Sequence, residues 1–376
     1  MANILIIGGG FGGLVTAERL AASIDTSHQI TLVAPSEKFT FYPALVQLAF
    51  GEIGPDDMTF NLRARLDEID VRFVKGELIR INADRRAAQV AGDDFTGEIK
   101  YDYIVLAAGR RLATEKIGGF FEHAHHLLGT GAALKFGEAV RAFSEGTILV
   151  GMCPGARLPV PVCETAFALA NRFEKQIDEG RVHIKVIFPE SLEAAFGGAA
   201  LHKELEAAFE RRRINVLYDV PVREITNEAV LSAKGHEVKY DLLMLLPPFR
   251  GQAIFGRMGI TDADDFVRTD GLMRVHDLEN AYAVGDVVAF SGPKFAHMAV
   301  RQADTAAENI LSELNGEKPA REYYHEIRTI IDAGGRDSIY LHYGVWDDML
   351  FNVKKGRFWS WAKSLHSEFW RAKHKA

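Results

Sequence analysis

Short apolar runs alternate with amphipathic stretches along most of the chain. Ile4 to Ile7 form an unbroken apolar run, the pattern of a strand buried on both faces, and the next stretch, "FGGLVTAERLAA", puts Leu14, Ala17 and Leu20 on one helical face. The same rhythm returns later. "HQITLVA", "YDYIVLAAG", "TILVG", "VHIKVIFPE" and "ENAYAV" read as strands, and "ETAFALANRFEKQ" (164–176) reads as a helix. Strands alternating with helices predict an α/β fold with parallel sheets, and 376 residues predict more than one domain. The longest apolar runs fall far short of the roughly 18 residues of a membrane-spanning helix. No basic and apolar leader pattern opens the chain, and two cysteines are too few for a disulfide scaffold.

The turns between these elements carry the first chemistry. Gly8, Gly10 and Gly13 fit G-x-G-x-x-G between the first strand and its helix, with Phe11 inside the motif. Such glycines let the backbone approach a pyrophosphate, whose charge sits at the positive end of the helix. An acid normally ends the second strand to hold ribose hydroxyls; Ala34 stands there, and Ser36 or Glu37 in the following turn are the substitutes. Further on come Ala107-Ala108-Gly109 and Gly285-Asp286, each closing a strand. Together the three motifs resemble the split flavin-binding domain of two-dinucleotide-domain flavoproteins. The resemblance implies FAD, contacts from Ala108, Gly109 and Gly285, and Asp286 on the ribityl chain. The expected organisation is a flavin-binding domain in two parts, residues 1–113 and 246–320, a second Rossmann-like domain at 114–245, and a C-terminal membrane-association region at 321–376. In fold class this is α/β, with two Rossmann-like dinucleotide-binding domains of the glutathione-reductase type plus C-terminal amphipathic membrane-docking helices.

Where the second domain would place its own phosphate turn, the chain reads "GMCPGARLPVPVCETAF" (151–167). Pro154, Pro159 and Pro161 remove three N–H donors, which argues against NADH there. Both cysteines of the chain, Cys153 and Cys163, lie in this stretch and are candidate redox thiols; a position at a helix start would lower the pKa of Cys163.

"DLLMLLPPFRGQ", "VIFPES", "GPKFAHMAVRQADTAAENI" and the C-terminal "WSWAKSLHSEFWRAKHK" extend the resemblance over nearly the whole chain. They look like the sulfide:quinone oxidoreductases and flavocytochrome c sulfide dehydrogenases. That family carries a nucleophilic cysteine six residues before a helix glutamate. Counted back from Glu164, the position belongs to Leu158, and the family's second redox cysteine would fall where this chain has Thr329, Ile330 and Ile331. Lys294, by resemblance, approaches the flavin N1 and C2 carbonyl, and Pro43 lies against the ring edge. His297, with Arg301 and Gln302 on adjoining turns, is a candidate for binding or protonating a quinone.

The net charge of −7 hides an asymmetry: from Val353 onward the tail carries +6 and the remainder −13. On a helical wheel, residues 357–375 gather Phe358, Trp361, Ala362, Leu365 and Phe369 on one stripe, with Trp359 and Trp370 at its border. The expectation is a helix lying in the headgroup interface of the cytoplasmic face of a membrane, its lysines drawn to anionic lipid. An acidic body argues against nucleic acid, and the histidines of "FEHAHHLL" lack a ligand cluster, so no metal is expected. A homo-oligomer remains open. The leading expectation is thus a peripheral-membrane FAD enzyme passing electrons from sulfide or a related sulfur compound to quinone. The alternatives are a type II NADH:quinone dehydrogenase and a flavoprotein subunit that needs a cytochrome or membrane partner.

Overall fold

The structure is a computed structural model that describes residues 1–25, 27–334, 337–347 and 350–374. Five parallel strands form the first sheet in the order Ala281–Ala283, Tyr103–Leu106, Asn3–Ile7, Gln29–Ala34, Arg72–Lys75. One edge strand therefore comes from a point in the chain some 175 residues after its neighbour, about the separation between Leu106 and Ala281, as a split domain requires. The middle strands are buried on both faces, which is why they read as continuous apolar runs.

The intervening chain builds a second parallel sheet of four strands, ordered Ile214–Leu217, Val182–Ile187, Gly146–Met152, Leu242–Leu246. Each parallel sheet is accompanied by a three-stranded antiparallel one, over residues 77–100 and 222–239. Helix Ala296–Leu314 packs along helix Phe11–Ala21 through its small face, and Arg19 pairs with Asp304 at 2.6 Å.

Two elements differ from expectation. The helix expected from Glu164 starts five residues earlier and spans Pro159–Arg172. Prolines at its first and third positions are tolerated because the first-turn N–H groups have no partner within a helix. The C-terminal region also holds more than amphipathic helices. Glu326–Ile331, Ile339–Gly344 and Phe351–Lys355 form an antiparallel sheet, and one helix, Arg357–His374, follows it; Lys375 of the basic tail lies outside the described residues. Among the described residues no helix is long and apolar enough to cross a membrane.

The tail helix is docked through its polar side. Lys363 pairs with the buried Glu164 carboxylate, Ser360 donates to Asp332 at 3.0 Å, and Lys373 reaches Glu18 at 3.1 Å. Phe358, Trp361, Leu365 and Phe369 point outward and are 48–68% exposed. The expectation for Trp359 and Trp370 needs correction. Trp359 stacks on Tyr340 at 4.3 Å and Trp370 enters an aromatic cluster, so both serve docking. Part of the positive charge assigned to lipid is likewise spent on Glu164 and Glu18.

Candidate active site

At the end of the first strand the glycine turn is held by a bond from the Gly8 N–H to the Val33 carbonyl, 2.8 Å. Gly8 has φ +118°, and a side chain there would collide with Ala107; one at Gly13 would lie 1.8 Å from the Gly8 carbonyl oxygen. Gly10 is different: a Cβ at that position meets nothing within 4 Å. Helix Phe11–Ala21 begins beside this opening with no side-chain cap and no acid in its first turn. Its unpaired N–H groups and positive dipole end suit a diphosphate. Gly109 (φ +65°) is equally open. Of the substitutes for the missing acid, Ser36 Oγ accepts the Lys38 N–H at 3.0 Å, and Glu37 pairs with Arg63 at 2.9 Å while staying 40% exposed. Phe11 turns away from the opening, its ring against Phe39, Phe41 and Trp370.

Across the sheet, the turn after strand Ala281–Ala283 brings the second group together. Gly285, Asp286, Lys294 and Gln302 line one cleft with Val288, Phe290, Pro293, Phe295, Met298 and His325. Gln302 accepts the Gly285 N–H at 2.7 Å, so helix Ala296–Leu314 fixes the turn that presents Asp286. The Asp286 carboxylate meets Arg110, whose guanidinium lies 4.2 Å from the Phe249 ring centre. Lys294 is buried. Its Nζ donates to the Val288 carbonyl at 2.6 Å and sits 4.4 Å from the Phe266 ring centre, and burial, with the nearby Arg157 cation, pushes its pKa down to about 7. Arg157 donates to the carbonyls of Phe290 and Gly292 and accepts the Lys294 N–H on its own carbonyl, tying the proline loop to the loop that bears the lysine. Neither cation is paired with a carboxylate among the described residues. Pro43 lies in an exposed turn, Tyr42–Ala44.

Three expectations about reactive side chains change. Cys153 and Cys163 are fully buried and pack in different apolar clusters, Cys153 with Leu149, Ile187 and Val220, Cys163 with the main core. Burial pushes both thiols well up, against the thiolate that redox chemistry requires, and the two are free and packed in separate clusters rather than paired. For Cys163 the helix-dipole expectation fails because the helix starts four residues before it, which leaves the thiol in the second turn. His297 is half-buried, with Nε2 set between the Glu326 carbonyl (3.0 Å) and the Arg328 N–H (3.1 Å); burial pushes its pKa down to about 4. It ties helix Ala296–Leu314 to strand Glu326–Ile331 and is neutral at pH 7, which removes it as a ready proton source. Arg301 is turned to Glu326 at 3.5 Å.

Sequence reading missed an aromatic wall. Phe290, Tyr323, His325 and Trp346 pack ring on ring at 5.0–5.8 Å, with Trp346 48% exposed. These residues come from three separate loops and strands, so no local periodicity marks them. His325 bridges Tyr323 and the Ser291 carbonyl and lines the Lys294 cleft.

An open glycine turn on a bare helix end, joined through one parallel sheet to a buried cation and an aspartate, fits the class of FAD-dependent oxidoreductases. The chain belongs to the pyridine nucleotide-disulphide oxidoreductase family, whose sequence model matches residues 2–303. Its relatives include a sulfide-quinone reductase from Aquifex aeolicus, 26% identical over 83% of this chain and 76% of that protein, and a mitochondrial sulfide:quinone oxidoreductase from Mus musculus, 24% identical over 85% and 73%. A type II NADH:quinone oxidoreductase from Haemophilus influenzae is 24% identical over 88% of this chain and 85% of that protein. In fold, the solved sulfide:quinone oxidoreductase of Aquifex aeolicus superposes with a TM-score of 0.92 at 23% identity, covering 100% of this chain and 92% of that one. The open Gly10 turn and free helix end fit FAD, the cofactor of this family.

Proposed function

We propose that the protein is a peripheral-membrane flavoenzyme that takes electrons from a small sulfur donor and passes them to quinone. The observation that carries this reading is the tail helix, which turns Phe358, Trp361, Leu365 and Phe369 outward while its polar side bonds to the body. An apolar face with its polar face already satisfied suits the headgroup region, where a lipid-soluble acceptor is found. Relatives named for sulfide and for NADH share quinone as the acceptor, which supports the acceptor more firmly than the donor.

FAD supplies the two-electron carrier. In this reading Gly8, Gly10 and Gly13 hold its diphosphate, Asp286 its ribityl hydroxyls, and Lys294 the negative charge that reduction places on the ring. Quinone enters along Phe290, Pro293, Phe295 and Met298, with Trp346 at the rim, on the cytoplasmic side of the membrane. The donor approaches beside Leu158. Leucine cannot hold oxidised sulfur covalently, so Leu158 would only shape the donor's approach, and bound FAD would take the donor's electrons without a protein thiol between them.

The NADH reading finds less support. Strand Gly146–Met152 is followed by a helix whose first and third residues are Pro159 and Pro161, and these lack the N–H donors that a second diphosphate would use. Steady-state reduction of a short-chain quinone by sulfide and by NADH, with and without anionic vesicles, tests the choice. Sulfide-dependent turnover without NADH-dependent turnover is expected; the opposite pattern defeats the proposal.

A further inference from the structure

The tail helix ends at the cofactor's phosphate loop, and one residue breaks its outward apolar pattern. Trp370 follows the exposed Phe369 yet points inward, its ring centre 4.9 Å from Phe11, 5.2 Å from Phe39 and 5.0 Å from Phe41. Phe11 is the first residue of the helix whose N-terminus faces the Gly10 opening. Phe39 and Phe41 follow Ser36 and Glu37 in the segment after the second strand. The indole thus touches both pieces of chain that border the phosphate and ribose end of the cofactor. We infer that Trp370 is a positioning residue for the FAD phosphate loop, so that docking of the tail helix and retention of the cofactor are one event.

Polar bonds hold the indole in register. Lys373 donates to Glu18, on the same helix as Phe11, at 3.1 Å, with His374 Nε2 lying 3.2 Å from the same carboxylate, and Arg371 donates to the Asp57 carbonyl at 3.1 Å. His374 stacks on Trp370 from the far side at 4.0 Å, and Phe60 completes the cluster. Toward its start the helix is pinned to the second domain by Lys363 on Glu164 and to the antiparallel C-terminal sheet by Ser360 on Asp332, which follows strand Glu326–Ile331. At 18 residues the helix is about 27 Å long, enough to strap one nucleotide-type fold to the other. Losing the indole removes one of the three aromatic rings packed on Phe11, and the glycine turn beside it has few side chains of its own to keep its shape.

The inference rests on flavin binding and not on the donor or acceptor, so its test reads FAD alone. In holoenzyme diluted into FAD-free buffer, the recovery of flavin fluorescence gives the dissociation rate. Trp370→Ala is expected to release FAD about tenfold faster or more, and Trp370→Phe to restore most of the difference. Phe369→Ala, one residue away on the outer face, is expected to keep the wild-type rate while weakening vesicle binding. Should Trp370→Ala not fold, as judged by circular dichroism, Lys373→Ala tests the same docking and is expected to speed release several-fold. Release from Trp370→Ala within twofold of wild type overturns the inference. Equal acceleration by Phe369→Ala and Trp370→Ala also overturns it, because the effect then belongs to the tail as a whole. A protein that keeps FAD normally but fails to reduce quinone counts against the proposed function only.

Discussion

Lys294 carries a charge where the chain has removed nearly all water. Burial, with the Arg157 cation nearby, brings its pKa down to about 7 even though the ammonium keeps one carbonyl partner and an aromatic face. In the proposed site the lysine would be charged below that value and would favour negative charge on reduced flavin; above it that help would be lost. The flavin reduction potential should therefore fall more steeply with pH above about 7 than below. Lys294→Met should lower the potential at pH 6 and remove the bend, as spectroelectrochemistry would show; an unchanged potential would place the lysine away from the flavin. The two thiols lead to a different expectation. Cys153 and Cys163 are both 0% exposed, so a thiol reagent should titrate neither in the native protein and both in guanidinium. Rapid labelling of either in native buffer would reopen a redox role. Leu158→Cys puts a thiol back at the family's position; a clear gain in sulfide turnover would show that the leucine alone blocks persulfide chemistry.

At the scale of elements, the tail helix shows what a sequence reveals and what it hides. Its apolar stripe, Phe358, Trp361, Leu365 and Phe369, was legible from helical spacing and is the outward face. The inward turn of Trp359 and Trp370 was not, because a wheel gives angles without saying what stands opposite. Tyr340 and the Phe11 cluster stand there, tens to hundreds of residues away. In the same way the helix after the proline loop was legible from Glu164 onward, while its true start at Pro159 was masked by prolines that usually signal a stop. Replacing the four outward residues by serine should abolish sedimentation with anionic vesicles and leave FAD content unchanged. Undiminished sedimentation would assign membrane attachment elsewhere or remove it. Glu18 gives the docked end a pH dependence. Burial opposes its ionisation, but the His374 and Arg65 contacts outweigh it and bring the pKa down to about 2. A carboxylate with a depressed folded pKa stabilises above its ordinary value near 4.5 and loses that stabilisation as pH falls toward 2. Protease cleavage ahead of the tail should therefore accelerate between pH 4.5 and 2.5 in wild type, and this acceleration should be weaker in Glu18→Gln.

In the whole molecule, the glycine turn after the first strand and the Asp286 turn were readable because backbone geometry dictates their residue types. Glycine is required where φ is positive or where a Cβ would strike a carbonyl, as at Gly8 and Gly13. Side chains whose role depends on burial were misjudged: Cys153, Cys163 and His297 have reactive chemistry in isolation and lose it once enclosed. The Phe290, Tyr323, His325 and Trp346 wall is assembled only by the chain's return past both sheets. The molecule that results has an open glycine turn at a bare helix end, a buried cation in the cleft after strand Ala281–Ala283, and a tail that offers apolar side chains outward. Electrons entering beside Leu158 and leaving along Phe290 and Phe295 is the central claim. An anaerobic titration followed by flavin absorbance tests it most directly: sulfide should bleach the flavin, a short-chain quinone should restore it, and NADH alone should do neither. Bleaching by NADH with no response to sulfide would refute the claim.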